Sequence, residues 1–197
     1  RQVSNRFVKR AFDVTVSGVF LCTLFPFVYL FVALGIKLTS KGPVFFIQER
    51  SGENGRTFGC IKFRSMRVND EADRVQATKN DPRKTRFGSF LRKSSIDELP
   101  QFINVLKGEM SIVGPRPHML QHTELYSKLV NKYMVRHLIK PGITGWAQCH
   151  GRNAISWAER FRLDVWYVDH LTLATDLKVV WITLCKVCLL YTSDAAD

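Results

Sequence analysis

The sequence has fewer acidic than basic residues, few cysteines and none of the common nucleotide-binding motifs. Each of these features limits the classes of function to which the protein can belong. The 17 Asp and Glu stand against 29 Lys and Arg, which leaves a formal net charge of +12. Such an excess favours anionic partners, such as nucleic acid, anionic lipid or a phosphorylated substrate. No Walker A, G-x-G-x-x-G or G-x-S-x-G motif occurs, so the sequence lacks the common P-loop, dinucleotide-binding and hydrolase signatures.

The five cysteines do not predict a disulfide framework, because their number is odd and their spacing is irregular. Cys185 and Cys188 form a single C-x-x-C, which without a second pair indicates small apolar residues on a helix. His118 and His122 stand four residues apart, but no third zinc ligand accompanies them. The cysteine usage therefore fits a reducing cytoplasmic setting.

The longest apolar stretch, residues 14–36, carries no charged side chain and is long enough to cross a bilayer core of about 30 Å. Pro26 stands near its middle, and proline removes a backbone hydrogen bond, so we expect a kink there. Basic residues flank both ends, so the positive-inside rule gives no orientation. These features leave two hypotheses open: a kinked helix that spans the bilayer, and a re-entrant helix that leaves on the side it entered.

The rest of the chain predicts a mostly helical α+β domain. Two β-branched and aromatic runs on either side of "SGENGR" predict a small β-hairpin. Residues 69–81 are polar and predict a solvated helix or mobile loop. Amphipathic or apolar helices are predicted over the segments 99–108, 123–138, 154–171 and 176–190. The last of these suits either the core or a membrane interface.

Three segments follow from these patterns. We assign 1–40 to a membrane-inserted helix, 41–190 to a cytoplasmic domain and 191–197, "YTSDAAD", to a disordered or foreign tail. The chain begins at Arg1 rather than Met, and we expect it to be part of a longer protein.

Asp97 and Glu98 are adjacent carboxylates in a basic chain. Residues 95–98 match the capping box S-x-x-E, in which Ser95 caps a helix and Glu98 reaches back to the Ser95 amide. The following helix is expected to end at Gly108. The pair also has a chemical interpretation, because carboxylates bind Mg²⁺ together with substrate phosphates and an aspartate can form a covalent phosphoryl intermediate. These residues alone do not decide between the two.

Five basic residues are candidates for phosphate contacts: Lys62, Arg64, Arg92, Arg116 and Arg152. Lys62 and Arg64 alternate with apolar residues and are expected on one face of a strand. Arg116 stands between two prolines, which restrict its backbone. Guanidinium groups match phosphate oxygens in bidentate geometry. For each residue taken singly, a solvated surface charge is the alternative.

Together these motifs resemble the bacterial sugar transferase family, the monotopic polyprenyl-phosphate phosphoglycosyl transferases. The resemblance rests on "KRAFD", "GPVFFIQER", "KFRSM", "LRKSSIDELPQFINVLKGEMSIVGPRP", "KPGITGWAQ" and "LDVWYV", in this order. It implies an Mg²⁺-dependent enzyme that transfers a sugar-1-phosphate from a UDP-sugar to undecaprenyl phosphate. Such a reaction initiates a surface glycan: exopolysaccharide, O-antigen of lipopolysaccharide, capsule or glycoprotein.

The resemblance also implies roles for individual residues. Asp97 matches the family's nucleophile, which attacks the β-phosphate, releases UMP and forms a phosphosugar-aspartyl enzyme. Glu98 matches its partner in metal binding or acceptor activation. The five basic residues named above match positions that contact phosphate or nucleotide. The apolar segment matches a re-entrant helix on the cytoplasmic face of the bacterial inner membrane, with Phe25 where many members have Ser before Pro26.

The resemblance leaves the sugar and the oligomeric state open. "RPHMLQH" resembles members that transfer a hexose phosphate, whereas "GRNAISW" resembles small members that use N-acetylated or diamino sugars. A non-catalytic, basic, membrane-anchored scaffold that binds anionic lipid is the alternative function, but the retained Asp97–Glu98 pair argues against it. Nucleic acid is not an expected partner, because nucleic-acid binding does not explain residues 14–36.

Overall fold

The computed structural model describes residues 2–68, 81–129, 133–151 and 155–193, where helices outnumber strands. The helices are α1 (Gln2–Thr23), α2 (Phe25–Thr39), α3 (Arg86–Lys93), α4 (Gln101–Lys107), α5 (Leu120–Leu129), α6 (Trp146–Cys149), α7 (Trp157–Asp169) and α8 (Leu173–Ser193). The strands are β1 (Phe45–Ser51), β2 (Thr57–Phe63), β3 (Ser111–Val113) and β4 (Gly142–Thr144). The predicted mostly helical fold with a small hairpin is confirmed.

Helices α1 and α2 form a bent pair that breaks at Leu24, shortly before Pro26. The bend is 57°, and Pro26 occupies the first turn of α2, where its missing N–H costs no intrahelical hydrogen bond. Within the described residues, only this pair, counted as one unit, has the length and hydropathy of a membrane span. No single helix in the described part of the chain is both long enough and apolar enough to cross a bilayer. The re-entrant topology stays a prediction.

Strands β1 and β2 form the predicted hairpin, with Phe45 opposite Phe63 and Ser51 opposite Thr57. A 3-10 turn over Glu53–Gly55 joins them. The Phe63 ring stacks on that of Phe45, with ring centroids 5.5 Å apart. Tyr29 of α2 stacks on the same Phe45 ring at 5.6 Å. These aromatic contacts hold α2 against the hairpin.

Strands β3 and β4 were not predicted as strands. They pair in parallel, with Ser111 opposite Gly142 and Val113 opposite Thr144. Each has only three residues, too few for an alternating pattern to be visible in the sequence. A Cβ at Gly142 would lie 2.0 Å from the backbone nitrogen of Gly114, so the close approach of these two backbone segments requires glycine at position 142.

A buried polar cluster ties the first helix to the last. Lys9 Nζ lies 2.6 Å from Asp176 Oδ2 and donates to the Val113 carbonyl at 2.9 Å. The Tyr167 hydroxyl donates to the other oxygen of Asp176 at 2.5 Å. Asp13 of α1 accepts from the Ile112 N–H at 3.0 Å. The "KRAFD" and "LDVWYV" motifs thus supply residues that fix α1 against β3, α7 and α8.

Of two further helix predictions, one is confirmed and one is wrong in part. Helix α4 ends at Gly108 (φ 85°), as predicted. The single helix predicted over 123–138 is wrong in part, because Tyr133–Leu138 forms a 3-10 helix. Helix α8 continues to Ser193, and residues 194–197 lie outside the described residues, as do 69–80 of the polar segment.

Candidate active site

Ser95 lies at a sharp backbone turn that leads into the site, and it does not cap a helix. Its backbone is left-handed (φ 59°), and residues Ile96–Glu98 form a single 3-10 turn before α4 begins at Gln101. The Ser95 side chain caps no helix. The predicted capping box is therefore wrong, because the Glu98 side chain is bound by two cations. A positive φ at a non-glycine residue is uncommon and is found mostly at functional or tightly constrained positions.

Glu98 is held by Arg116 and Lys62. Arg116 binds it through two parallel hydrogen bonds, from Nη2 to Oε1 at 2.6 Å and from Nη1 to Oε2 at 3.0 Å. Lys62 Nζ lies 2.8 Å from Oε1. Burial alone raises the pKa of Glu98, but the two cations outweigh it and hold the pKa well below its ordinary value. Glu98 therefore stays ionised at neutral pH.

Asp97 has the opposite environment, although it is the next residue in the chain. It is buried, with 7% of its surface exposed, and no described residue donates a hydrogen bond or an ion pair to its carboxylate. Burial and the adjacent Glu98 charge raise the pKa of Asp97 to about 6, against the lowering effect of Lys62, Arg92 and Arg116. The carboxylate is thus uncommitted and close to its titration point at neutral pH.

Asp97 and Glu98 lie in the wall of an open cavity of about 530 Å³, within the usual range of ligand pockets. Four of the five predicted phosphate-contacting residues also line it: Lys62, Arg64, Arg92 and Arg116. The fifth, Arg152, lies outside the described residues. The cavity therefore brings carboxylates and cations together from β2, α3, the 3-10 turn and the loop after β3.

Arg64 and Arg92 differ in what they bind. The Arg64 guanidinium donates to the carbonyl groups of Ser40, Lys41 and Pro43 at 2.6–3.0 Å, so it also anchors the end of α2. Arg92 Nε donates to Ser65 Oγ at 2.9 Å. Phosphate contact by either residue stays a prediction, and the donors of Arg64 are already directed at the backbone.

The position of Arg116 depends on a buried ion pair that the sequence did not reveal. Arg136 Nη2 donates to the Arg116 carbonyl at 2.7 Å, and Arg136 Nε donates to Asp164 Oδ2 at 3.0 Å. The Arg136 and Asp164 side chains are only 2% and 3% exposed. Buried charges of this kind persist because they are paired and hydrogen-bonded. Asp164 and Arg136 thus fix the loop that presents Arg116 to Glu98.

A magnesium ion fits this site in part. Among the described residues, no group of three His, Cys, Asp or Glu side chains is arranged as a metal cage. Mg²⁺ does not require one, because it is commonly held by one or two carboxylates together with substrate phosphates and water. The uncommitted Asp97 carboxylate suits such an ion. Both oxygens of Glu98 already accept hydrogen bonds, so Glu98 is the weaker ligand.

Comparison with known proteins adds independent evidence. The family model for bacterial sugar transferases matches residues 4–189. A UDP-glucose:undecaprenyl-phosphate glucose-1-phosphate transferase of Xanthomonas campestris is 52% identical over 165 residues, covering 80% of this chain and 34% of that protein. The Escherichia coli protein of the same name is 49% identical over 189 residues, covering 92% of this chain and 40% of that protein.

A shorter relative matches over nearly its whole length. The exopolysaccharide production protein PSS of Rhizobium leguminosarum is 45% identical over 188 residues, which cover 90% of this chain and 93% of that protein. This chain therefore spans only a third to two fifths of the two glucose-1-phosphate transferases, but corresponds to nearly all of the Rhizobium protein.

Proposed function

Because the chain belongs to the bacterial sugar transferase family, we propose that it transfers a sugar-1-phosphate from a UDP-sugar to undecaprenyl phosphate. The observation that carries this proposal is the Asp97 carboxylate, which is buried in a cation-lined cavity and has no partner among the described residues. A nucleophile needs such a free, ionisable group beside positive charge that stabilises the transferring phosphoryl group. The product would begin an exopolysaccharide or a related surface glycan.

The reaction proceeds in two displacements at one phosphorus atom. An Asp97 oxygen attacks the β-phosphorus of the UDP-sugar, and the bond to the bridging oxygen breaks. UMP leaves with that electron pair, and the sugar phosphate remains on Asp97 as an acyl phosphate. An oxygen of undecaprenyl phosphate then attacks the same phosphorus. The Asp97 carboxylate is regenerated, and the product is an undecaprenyl diphosphosugar.

The neighbouring residues hold and balance charge during these steps. Lys62 and Arg116 lie at the cavity wall on Glu98, so their positive charge is fixed before substrate enters. Arg92 supplies a further cation at the wall. A bound Mg²⁺ would neutralise the diphosphate. The Asp97 carboxyl must be deprotonated to attack, which its pKa of about 6 allows at neutral pH.

We propose that the enzyme works at the cytoplasmic face of the bacterial inner membrane, with α1 and α2 as a re-entrant anchor. The support is the bend between them and the exposure of apolar side chains on α2. Phe27, Leu30 and Leu34 are each more than 60% exposed. Such contiguous apolar exposure is unusual for a surface in water, and a bilayer would cover it.

The test of this function is UMP release. The purified chain is incubated with Mg²⁺, undecaprenyl phosphate and a panel of UDP-sugars that begins with UDP-glucose, the donor named for two relatives. Asp97→Asn should abolish release, because the amide is a poor nucleophile. Asp169→Asn, at an exposed position on α7 outside the cavity, is the matched control and should keep full activity. Full activity of Asp97→Asn would refute the mechanism.

The covalent intermediate has a separate test. Without undecaprenyl phosphate, the wild-type protein should release at most one UMP per protein molecule and retain the labelled sugar phosphate. Hydroxylamine should remove the label, because it cleaves acyl phosphates. Transfer that requires both substrates at once, with no labelled protein, would contradict the two-step scheme while leaving the overall reaction intact.

A further inference from the structure

The cavity has a second wall whose chemistry differs from that around Asp97. Gln148 of α6 and Trp157 and Arg160 of α7 line it. Helices α6 and α7 pack against each other, so the three residues stand on neighbouring elements of the fold. These three residues supply an aromatic ring, a guanidinium and an amide, whereas Asp97 and its neighbours Glu98, Lys62 and Arg116 supply carboxylates and cations.

Gln148 carries an acceptor that nothing in the described chain uses. Its Nε2 donates to the Ile143 carbonyl at 3.1 Å. Only the nitrogen of an amide can donate to a carbonyl, so this bond fixes which end of the side chain is oxygen. Oε1 is buried and has no hydrogen-bond partner among the described residues. A buried acceptor without a donor is costly, and a bound ligand with an N–H group would relieve that cost.

Trp157 offers a supported aromatic surface on the same wall. It stays 38% exposed, while the rings of Tyr126 and His122 lie 5.2 and 6.2 Å from it, centroid to centroid. The Arg160 guanidinium lies over the indole, 4.8 Å from the ring centroid. Held in this way, the indole can stack on a planar ring that enters the cavity.

Resting on the proposed function, we propose that Trp157, Gln148 and Arg160 form the subsite that recognises the uracil of the donor nucleotide. Trp157 stacks on the base, Gln148 Oε1 accepts from the uracil N3–H, and Arg160 donates to a ring carbonyl. Uracil presents one N–H between two carbonyl oxygens, which complements this set. Cytosine has a bare N3, which would place an acceptor against Oε1, so the site rejects it.

A sugar ring is a poorer occupant of this wall. Sugar hydroxyls can donate to carboxylates, but Asp164, the carboxylate on this side of the cavity, is already bound by Arg136 at 3.0 Å. Gln148 Oε1 is an acceptor without a partner among the described residues, and a single amide oxygen matches one N–H better than a set of hydroxyl groups. The sugar phosphate is then left to the wall around Asp97, where it is transferred.

The first experiment needs no mutation. Binding of UMP, CMP and N3-methyl-UMP to the purified chain with Mg²⁺ is measured by calorimetry. UMP should bind at least about tenfold more tightly than either analogue, because one lost hydrogen bond with an unpaired acceptor costs about a factor of ten. Equal binding of UMP and N3-methyl-UMP, or no binding of UMP, would overturn the proposed subsite.

Variants then separate the two contacts. Gln148→Ala should reduce the preference for UMP over CMP about tenfold. Trp157→Ala should weaken UMP and CMP alike, by about tenfold or more, because stacking does not distinguish bases. Trp166→Ala is the matched control, since Trp166 lies on the same helix with 37% exposure and outside the cavity wall. An unchanged ratio of UMP affinity to CMP affinity in Gln148→Ala overturns the proposal. It is also overturned if Trp157→Ala weakens the binding of glucose 1-phosphate but leaves the binding of UMP unchanged.

These outcomes are distinguishable from failure of the proposed function. If wild-type protein binds UMP with the expected selectivity but releases none from any UDP-sugar, the subsite stands and the transfer reaction fails. If wild-type protein releases UMP from a UDP-sugar and Gln148→Ala keeps full selectivity, the reaction stands and the subsite fails.

Discussion

Replacing Asp97 by Asn should make the folded protein more stable at neutral pH, although it removes the proposed nucleophile. The native structure raises the pKa of this carboxyl from its ordinary 3.8 to about 6. Between these values the folded chain holds a proton that the unfolded chain has released, so stability falls as pH rises through this range. The difference of about two units corresponds to about 3 kcal/mol. Asn is neutral at every pH and avoids this loss.

Glu98→Gln is the matched control and should have the opposite sign. The pKa of Glu98 is lowered, because Arg116 and Lys62 outweigh its burial. Its ionised form therefore stabilises the fold above the ordinary pKa near 4.5, and this contribution is lost as pH falls through the folded value. The amide would leave two cations without their carboxylate, at a cost of up to about 3 kcal/mol. Asp97→Asn and Glu98→Gln, both isosteric, should therefore change the free energy of unfolding in opposite directions.

The assay is thermal unfolding of the detergent-solubilised protein, followed by tryptophan fluorescence at pH 8, 6 and 4. For a chain of this size, about 1 kcal/mol shifts Tm by roughly 2–4 °C. Asp97→Asn should therefore raise Tm by roughly 6–12 °C at pH 8, and the gain should disappear by pH 4. Glu98→Gln should lower Tm at pH 8. No gain for Asp97→Asn at pH 8, or a gain that persists at pH 4, would refute the assignment of a costly buried charge.

Three further predictions follow from the same geometry. The rate of UMP release by the wild-type protein should rise with pH through an apparent pKa near 6. Glu98→Gln should move this apparent pKa to a lower value, because it removes the neighbouring negative charge. An unchanged apparent pKa would exclude Asp97 as the titrating group. Arg136→Lys should lower kcat/KM about tenfold through the lost hydrogen bond to the Arg116 carbonyl; wild-type kinetics would show that Arg136 does not position Arg116. Single cysteines at Phe7 and Leu38, which are 75% and 77% exposed, should both resist an impermeant maleimide in intact cells and react after lysis; labelling of either one in intact cells would exclude the re-entrant anchor.

The hairpin was predictable from the sequence because its signal is local. The β-branched and aromatic runs alternate around a Gly/Asn turn, and the structure places Phe45 opposite Phe63 as such a hairpin requires. The stop of α4 at Gly108 was predictable for the same reason, since a left-handed residue ends a helix most cheaply at glycine. The strand pair β3–β4 was not, because its partners are far apart in sequence and each strand has three residues.

The capping box shows where a local pattern fails. Glu98 matched S-x-x-E, but its carboxylate binds Lys62 and Arg116, which are 36 and 18 residues away. Charge-assisted hydrogen bonds to two cations are stronger than one bond to a backbone amide, so the Glu98 carboxylate binds Lys62 and Arg116 and not the Ser95 N–H. The same S-x-x-E pattern occurs at Ser156, where the side chain does accept from the Glu159 N–H at 3.2 Å. The cation that binds Glu159 is Arg162, only three residues further along the same helix.

The pairing of Glu98 also accounts for the lack of an ion-pair partner for Asp97 among the described residues. Lys62 and Arg116 both lower the pKa of Asp97, and a direct ion pair with either cation would lower it further and commit its lone pairs. Glu98 accepts three hydrogen bonds from these cations, so they are held at the wall without an ion pair to Asp97. Two carboxylates that are adjacent in sequence therefore have pKa values shifted in opposite directions, which is the arrangement that assigns different tasks to similar groups. Under the proposed mechanism, Glu98 holds the cations in place for the incoming phosphates, and the Asp97 carboxylate stays available for attack.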